Sequence, residues 1–546
     1  MKFNKYTLIG AVGLVIMALA GCKDDKTQNH KKIFNLNLDQ GLTSLDPAFA
    51  RNQNVLWMCN QLFNGLLQID DSLHLKPCVS KAWKISQDGK QYTFNLRNDV
   101  YFHDDALFKN GLGRRVVAND FVYSFNRLID PKIASSGSWI FSDKVTNLNP
   151  FIAQNDSTFI INLTKPFPPF LAMLSAQYCS VIPFEVAQKY GKEFRTHPIG
   201  TGPFKFKYWK EGEVLALIKN ENYFEKDNNG KPLPYLDAVK ATFLPDKQTA
   251  FMEFLKQNLD FFNGVDGSYR DDILTKNGLL TAKYKGKFKI NISPYLNTEY
   301  LGFLVDSSLA IVKKSPLKNL KIRQAINYAI DREKLIKYLR NSIGTPANTG
   351  FIPLGMPGFD AKKVNGYVYN PQKAKQLLAE VGYPNGTNMP EITLSSSTTT
   401  KDLMEFIQGE LSKIGIKCKV EINQSASLRE TIAKKGVNFF RGSWIADYPD
   451  AEIYLSMFYS KNVVPNGPNY TSFNNTKFDA LFESLSVTKT DSERFKLYQE
   501  MDDLMMRQSP VVVLYYDKLV NIYQNNITGL GKNAQNLLVL KNVVKN

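Results

Sequence analysis

The chain contains 546 residues with a formal net charge of +17, and 43% of its residues are hydrophobic. This length supplies ample material for a core and is too great for one compact unit, so we expect two or three lobes. Basic residues never occur in runs longer than a pair, so the positive charge is spread over the surface and nucleic-acid binding is not expected.

The N-terminal segment has the layout of a secretory signal. Lys2 and Lys5 precede an apolar run from Leu8 to Ala20, which is shorter than the roughly 20 residues that a spanning helix needs. The stretch Leu19-Ala20-Gly21-Cys22 resembles the lipobox of bacterial lipoproteins, in which the thiol is acylated and cleavage falls before the cysteine. The resemblance implies a signal peptide over residues 1–21 and a lipid anchor on Cys22. An ordinary signal peptide with a chance cysteine is the alternative.

Residues 22–32 are predicted to form a polar tether. No apolar residue occurs from Lys23 to Lys32, so this segment is expected to be solvated and to link the lipid to the folded part. Its Lys-Asp-Asp start resembles the signal that some Gram-negative lineages use to send lipoproteins to the cell surface. We therefore expect the mature chain in the periplasm or cell envelope, anchored to a membrane, with the outer membrane or cell surface as one option.

Hydrophobic periodicity predicts a hairpin and a helix early in the globular part. From Trp83 to Leu96, apolar and polar residues alternate on both sides of Asp88-Gly89, which is typical of two strands joined by a turn. Further on, Phe121, Phe125 and Leu128 recur at helical spacing. We expect this helix to be capped by Asn119 or Asp120.

Two more helices are predicted in the second half of the chain. The first carries Ile322, Ala325, Ile326 and Ala329 on one face. The second begins at Asp331, has Glu333 in its first turn and points Leu335, Ile336 and Leu339 inward.

The cysteines and histidines do not indicate a metal site. After Cys22, the remaining cysteines have no C-x-x-C spacing: Cys59, Cys78, Cys179 and Cys418. They are either buried free thiols or members of disulfides whose pairing the sequence does not decide. The histidines His74, His103 and His197 are isolated in the sequence and are expected to be structural or exposed. We predict neither a bound metal nor a cofactor.

Several separated stretches of the chain form one ordered set of motifs. The first are Leu45-Asp46-Pro47, Gln61-Leu62-Phe63-Asn64-Gly65-Leu66-Leu67 and the hairpin with Val100-Tyr101-Phe102-His103-Asp104 after it. The later ones are Pro198-Ile199-Gly200-Thr201-Gly202-Pro203-Phe204, Arg323-Gln324-Ala325, Ala329-Ile330-Asp331-Arg332, Gly344-Thr345-Pro346-Ala347 and Pro353-Leu354-Gly355-Met356. In this order they resemble the extracytoplasmic solute-binding proteins of ABC importers for oligopeptides, dipeptides, nickel complexes and related solutes (family 5).

The resemblance implies a mixed α/β fold, a two-lobed clamshell of the class II periplasmic-binding-protein type with an extra subdomain in the first lobe. It assigns residues 33–69, 197–291 and 512–546 to the core of lobe I, 70–196 to the extra subdomain and 292–511 to lobe II. Crossing strands are expected at Val511 to Tyr516 and near Pro294 to Tyr300. Solute would enter between the lobes, which close around it for recognition by a permease with its membrane subunits and ATPase. The family implies a binding protein that works as a monomer.

A ligand site is implied by the segment from Arg441 to Tyr448, which resembles the Trp-x-Ala-Asp-Tyr segment of the peptide-binding branch. In that branch the aspartate, here Asp447, faces the ammonium group of the peptide, because a cation enclosed in a dry cleft needs an opposite charge. Arg441 would face the peptide carboxylate, and Trp444 would form a wall. Ala446 and Tyr448 complete the predicted site. Some members have a cysteine where this chain has Ile445, so their disulfide is absent here.

Other functions fit the sequence less well. A metal chelate would need imidazole ligands, and no close pair of histidines occurs. An oligosaccharide would rely on aromatic stacking, which the composition allows, and a surface receptor or chaperone with the same fold stays open. An enzyme is not expected, since neither G-x-S-x-G nor H-E-x-x-H occurs.

Overall fold

The computed structural model describes residues 31–265, 267, 269–488 and 490–546. The predicted signal peptide, Cys22 and nearly all of the predicted tether lie outside these residues. Within the described part, no helix has the length and apolar character that a bilayer crossing requires. We use lobe I, extra subdomain and lobe II as names for the ranges proposed from the sequence.

Strands and helices alternate irregularly along the chain. The strands are β1 Ile33–Asn37, β2 Leu67–Ile69, β3 Leu75–Pro77, β4 Ser80–Ile85, β5 Gln91–Leu96, β6 Phe151–Asn155, β7 Thr158–Asn162, β8 Phe204–Lys210, β9 Val214–Lys219, β10 Ala238–Thr242, β11 Phe261–Asn263, β12 Lys289–Phe303, β13 Thr345–Pro346, β14 Ile392–Ser397, β15 Cys418–Asn423, β16 Phe439–Ile445, β17 Val511–Tyr523, β18 Ile527–Thr528 and β19 Val544–Lys545.

The α-helices are α1 Gln53–Leu62, α2 Ala118–Ile129, α3 Phe170–Met173, α4 Phe184–Tyr190, α5 Lys247–Leu255, α6 Arg270–Ile273, α7 Ala310–Lys313, α8 Leu320–Ala329, α9 Arg332–Arg340, α10 Pro371–Glu380, α11 Lys401–Ser412, α12 Ser425–Ala433, α13 Glu452–Leu455, α14 Thr476–Ser484 and α15 Asp491–Gln508. This mixture confirms the predicted α/β fold class.

One large sheet joins the two lobes. Its strand order is β15-β14-β16-β12-β17-β11-β1-β10-β9-β8, with β13 paired to β17. The long strands β12 and β17 pair antiparallel from Lys289 with Tyr523 to Gly302 with Val511, and their register shifts between Pro294 and Thr298. Both predicted crossing segments are therefore strands. The register shift in β12 falls next to the start of the proposed lobe II, where a hinge is expected.

The extra subdomain is built around the predicted hairpin. Strand β4 pairs with β5, Trp83 lies opposite Phe94, and the sheet continues in the order β4-β5-β7-β6. Tyr92, Phe94 and Leu96 are buried in the core. Ile85, opposite Tyr92, is instead 46% exposed, so the apolar face of this hairpin is buried mainly on β5.

The helix starts show one correct and one wrong prediction. Asp331 is the N-cap of α9, where its Oδ1 accepts the backbone N–H of Lys334 at 2.9 Å. Helix α2, however, begins at Ala118, and its N-cap is Val117 rather than Asn119 or Asp120. Asp120 acts from inside the first turn, where it accepts the N–H of Val117 at 2.9 Å.

The glycine-rich motif brings two chain segments into close contact. A Cβ atom at Gly202 would lie 2.4 Å from the carbonyl oxygen of Gln61, so only glycine fits there. His103 supports the same turn, since its Nε2 lies 3.0 Å from the carbonyl oxygen of Gly202. Burial lowers the pKa of His103 to about 4, so the ring is neutral and structural, as predicted.

Arg332, from the motif at the start of α9, is a structural residue. Its side chain is almost completely buried, and its guanidinium donates to the carbonyl oxygens of Val513, Tyr367 and Asn327 at 2.6, 3.1 and 3.1 Å. These bonds tie α8 and α9 to the crossing strand β17. The motif therefore serves the fold rather than the ligand.

The cysteines after the tether are free in the structure. Cys59, Cys78, Cys179 and Cys418 are all buried thiols. This outcome favours the first of the two possibilities left by the sequence. Burial keeps such thiols protonated and raises the pKa of Cys78 to about 12, so they act as small apolar side chains.

Candidate functional site

The predicted ligand segment lies at the end of β16, beside the crossing strand β12. These strands pair antiparallel from Phe303 with Phe439 to Asn297 with Ile445. The contact continues for one more residue, because the N–H of Ala446 donates to the carbonyl oxygen of Leu296 at 2.9 Å. The backbone leading to Asp447 is therefore fixed by the sheet that joins the lobes.

Asp447 is an unpaired carboxylate in a partly enclosed position. Its side chain is exposed, and it has neither a hydrogen bond nor an ion pair with any residue that the structure describes. Desolvation nevertheless raises the pKa of Asp447, so protein surrounds it closely although solvent still reaches it. A cation in contact with it would stabilise the charged form.

Tyrosines of the extra subdomain and of lobe II lie within the electrostatic reach of Asp447. Its negative charge raises the pKa of Tyr178, which belongs to the extra subdomain, and of Tyr295 and Tyr454, which belong to lobe II. In each case desolvation is the larger cause. Asp447 is therefore close to residues of both the extra subdomain and lobe II.

The neighbours of Asp447 alternate between exposed and buried positions. Ile445 is 47% exposed and, two residues before Asp447, is expected on the same face of the extended chain. Trp444 is half-buried and Ala446 is buried. The indole Nε1 of Trp444 is buried without a hydrogen-bond partner among the described residues. The exposed pair offers one apolar and one anionic contact to a ligand.

Tyr448 makes a contact between the lobes. Its ring stacks on Trp139 of the extra subdomain, with centroids 6.0 Å apart and an interplanar angle of 25°. Its hydroxyl donates a short hydrogen bond to Glu452. The buried side of Tyr448 thus joins the lobes, while Asp447 before it remains accessible.

Arg441 is already engaged in an ion pair that sequence reasoning missed. Its guanidinium meets Glu299 of β12 through Nε and Nη2, and the Nη2–Oε2 distance is 2.7 Å. Glu299 is 2% exposed, and burial raises its pKa while Arg441 opposes that shift. The only sequence signal for this pair was a glutamate inside an otherwise uncharged stretch of the crossing strand.

A second ion pair lies on the same face of the sheet. Arg340 of α9 meets Asp517 of β17 at 2.5 Å and covers the ring of Tyr515, with its Cζ 4.4 Å from the centroid. Asn297 donates to the other oxygen of Asp517 at 3.3 Å. With Arg441 and Glu299, this cluster contains two cations and two anions, so it does not neutralise Asp447.

A cleft of about 1200 Å³ opens between the extra subdomain and lobe II. Asp447 does not line it, although Pro449 and Asp450 just after Tyr448 do. The predicted ligand segment therefore precedes this cleft in the chain without lining it. Among the described residues, no group of three His, Cys, Asp or Glu side chains has the arrangement of a metal site.

The buried Glu452 predicts a pH effect on stability. Burial and the neighbouring Asp450 raise the pKa of Glu452 from 4.5 to about 7, against the effects of Tyr448 and Lys144. Because the folded state then holds this proton more tightly than the unfolded state, stability decreases as the pH rises from about 4.5 to about 7 and levels off above. Glutamine at position 452 does not titrate, so the stability of Glu452→Gln lacks this pH dependence.

We expect the free energy of unfolding of the wild type, relative to that of Glu452→Gln, to decrease between pH 5 and pH 8. Urea unfolding of both proteins at each pH measures the difference. A difference that stays constant across this range would contradict the assignment.

Comparisons with known proteins agree with this architecture. Residues 74–466 match the family described as bacterial extracellular solute-binding proteins, family 5 middle. The glutathione-binding protein GsiB of Salmonella choleraesuis is 28% identical over 497 residues, which cover 89% of each chain. Heme-binding protein A of Haemophilus influenzae is 30% identical over 470 residues, covering 82% of this chain and 80% of that protein.

Among solved structures, the unliganded open form of the periplasmic murein tripeptide-binding protein MppA superposes with a TM-score of 0.79 at 21% identity. The match covers 94% of this chain and 98% of that one. The predicted two-lobed periplasmic-binding-protein fold is thereby confirmed. This chain belongs to the bacterial extracellular solute-binding proteins of family 5.

Proposed function

We propose that this protein captures short peptides between its lobes and delivers them to an ABC permease. The observation that carries the proposal is Asp447, an accessible carboxylate that no described residue neutralises. A peptide with a free amino terminus supplies the missing cation, and closure of the lobes would strengthen this contact by removing water. The protein then acts as a carrier, not as an enzyme.

In this proposal, the other predicted site residues bind the ligand carboxylate, form the wall of the site or hold the backbone around Asp447. Arg441 keeps Nη1 for the ligand carboxylate, while Nε and Nη2 hold Glu299. Trp444 supports the wall, and Ala446 and Tyr448 fix the backbone on each side of Asp447. An extended ligand would gain further affinity from backbone hydrogen bonds of the kind made by an added strand.

The comparisons support a short peptide as the solute. Two of the similar proteins are named for glutathione and for murein tripeptide, both of which are short peptides. The similarity to an unliganded open form supports an open arrangement of the lobes here, which is consistent with the exposure of Asp447. The relative named for heme makes heme the second candidate solute.

Identification of the bound solute tests this function. The chain from Lys31 onward is purified from its native host under non-denaturing conditions, and native mass spectrometry weighs the complex before the ligand is released and fragmented. We expect peptides of a few residues with free amino termini. A porphyrin or a sugar in their place would overturn the peptide proposal while keeping the role in solute capture.

We further propose that Cys22 anchors the mature protein to a membrane. Acyl chains on Cys22 would provide durable attachment, because each buried methylene contributes about 0.8 kcal/mol. Cys22→Ser is expected to move the protein from the membrane fraction to the soluble fraction. Mass spectrometry of the N-terminal peptide reports acylation directly, and an acylated Cys22→Ser protein would refute the anchor.

A further inference from the structure

The cleft between the extra subdomain and lobe II has the composition of a binding site. Its volume of about 1200 Å³ exceeds what one side chain fills and suits a ligand the size of a short peptide. Walls come from both units, among them the β4–β5 turn of the subdomain and the start of α15 in lobe II. Nothing in the function proposed for Asp447 uses this space.

The charge of the cleft is opposite to that of the whole protein. Three carboxylates line it, those of Asp88, Asp450 and Asp491, against the single guanidinium of Arg494. Arg494 is already occupied, since its Nη2 lies 2.9 Å from Asp491 and 3.3 Å from Asp450. In a chain with a net charge of +17, this local excess of negative charge favours cationic ligands.

Two of the carboxylates keep an oxygen available. In Asp88, Oδ1 accepts the hydroxyl of Ser86 at 2.5 Å and the N–H of Lys90 at 3.1 Å, and Oδ2 has no partner among the described residues. In Asp491, Oδ1 meets Arg494, and Oδ2 likewise has no partner within the described part of the chain. Asp450 is different, because Tyr498 and Arg494 engage both of its oxygens.

Aromatic rings supply the apolar part of the lining. Tyr92 and Phe167 come from the extra subdomain, and Phe359 and Phe495 from lobe II. Carboxylates next to aromatic faces favour a cation with an apolar body, through charge pairing, cation–π contact and burial of the methylene stem. Lysine and arginine side chains have this form, whereas acidic or purely apolar ligands do not.

We propose that this cleft is a second binding site, which takes a basic peptide segment with an aromatic or aliphatic side chain. Asp88 and Asp491 pair with the two basic side chains, and the four rings enclose the apolar one. Recognition depends on side chains and not on the peptide ends, which separates this site from that of Asp447. Asp447 itself is absent from the lining of this cleft, and Tyr448, stacked on Trp139, lies between Asp447 and Pro449 in the chain.

Calorimetry with a blocked peptide tests the second site. Acetyl-Lys-Phe-Lys-amide has neither a terminal ammonium nor a terminal carboxylate, so it lacks the groups that Asp447 and Arg441 would bind. We expect one equivalent to bind the wild-type chain, more weakly as sodium chloride is added. Acetyl-Glu-Phe-Glu-amide, with the same ring and opposite charge, is expected not to bind.

Variants then locate the binding. Asp88→Asn/Asp491→Asn is expected to weaken binding of the basic peptide at least fivefold, and Asp447→Ala is expected to leave it unchanged. Asp156→Asn, at another exposed aspartate of the same subdomain outside the cleft, is the matched control. If the double variant fails to fold, Asp88→Asn alone, in an exposed turn, is expected to weaken binding at least twofold.

Absence of heat with the basic peptide would overturn the second site. Loss of its binding in Asp447→Ala would do the same, because it would place the peptide in the proposed solute site. A failure of free peptides to bind at Asp447 would leave the blocked-peptide result untouched, so the two proposals fail independently.

Discussion

Asp447→Ala is expected to lower the affinity for a free tripeptide by about a hundredfold or more. In the closed complex the ligand ammonium would be buried, and removing the carboxylate opposite it costs about 3–5 kcal/mol, while each 1.4 kcal/mol corresponds to a factor of ten. Asp447→Asn keeps the shape and the hydrogen-bonding oxygen but not the charge, so it is expected to lose nearly as much. Isothermal titration calorimetry of the purified chain measures both variants.

A control substitution distinguishes a direct contact at Asp447 from an effect of the net charge of the lobe. Asp402 is an exposed aspartate of lobe II, in the first turn of α11. Asp402→Ala removes the same charge from the same lobe and is expected to leave the affinity unchanged. Equal losses in Asp402→Ala and Asp447→Ala would mean that the net charge of the lobe, and not a contact at Asp447, governs binding.

Glu299→Ala is expected to lower the free energy of unfolding by about 3–5 kcal/mol. Glu299 is almost completely buried, and its removal leaves the guanidinium of Arg441 without its partner inside the protein. Urea unfolding followed by tryptophan fluorescence reports the change. The variant is also expected to weaken peptide binding, because Arg441 loses the contact that fixes its orientation.

The double variant Glu299→Ala/Arg441→Met shows whether Glu299→Ala is unstable because Arg441 loses its opposite charge or because packing around position 299 is lost. Removing both charges eliminates the uncompensated cation, so the double variant is expected to be more stable than Glu299→Ala. Glu483→Ala, which breaks an exposed pair with Lys461, serves as the control and is expected to change stability very little. A double variant less stable than Glu299→Ala would contradict the proposed role of the pair.

Local patterns in the sequence predicted local structure well. The alternation around Asp88-Gly89 gave the β4–β5 hairpin, and Asp331 gave the start of α9, because each depends on neighbours within a few residues. The cap of α2 was misplaced because Asp120 satisfies the backbone from the first turn instead of from the N-cap. Both positions allow a carboxylate to accept a free N–H, and the sequence does not distinguish them.

The ion pair between Glu299 and Arg441 could not be predicted from the sequence. Residues 299 and 441 are 142 positions apart, and they meet only because β12 and β16 are adjacent in the large sheet. The resemblance predicted Arg441 as a ligand residue and gave no protein partner for it. A buried glutamate in a strand is the signal to search for in similar chains, since such a charge requires a partner.

The cleft lined by Asp88 and Asp491 was also not predictable. Its walls come from segments that are separated by several hundred residues and belong to different lobes. Each segment alone is an ordinary exposed turn or helix start. Only the packing of the extra subdomain on lobe II, through contacts such as Trp139 on Tyr448, brings them together.

A crystal structure of the chain with a free tripeptide would show which residue binds the amino terminus of the ligand. We expect the terminal ammonium within about 3 Å of the Asp447 carboxylate, the usual distance of a charge-assisted hydrogen bond, with both lobes in contact with the peptide. An ammonium group that faces any other residue, with Asp447 open to solvent, would overturn the proposed peptide site.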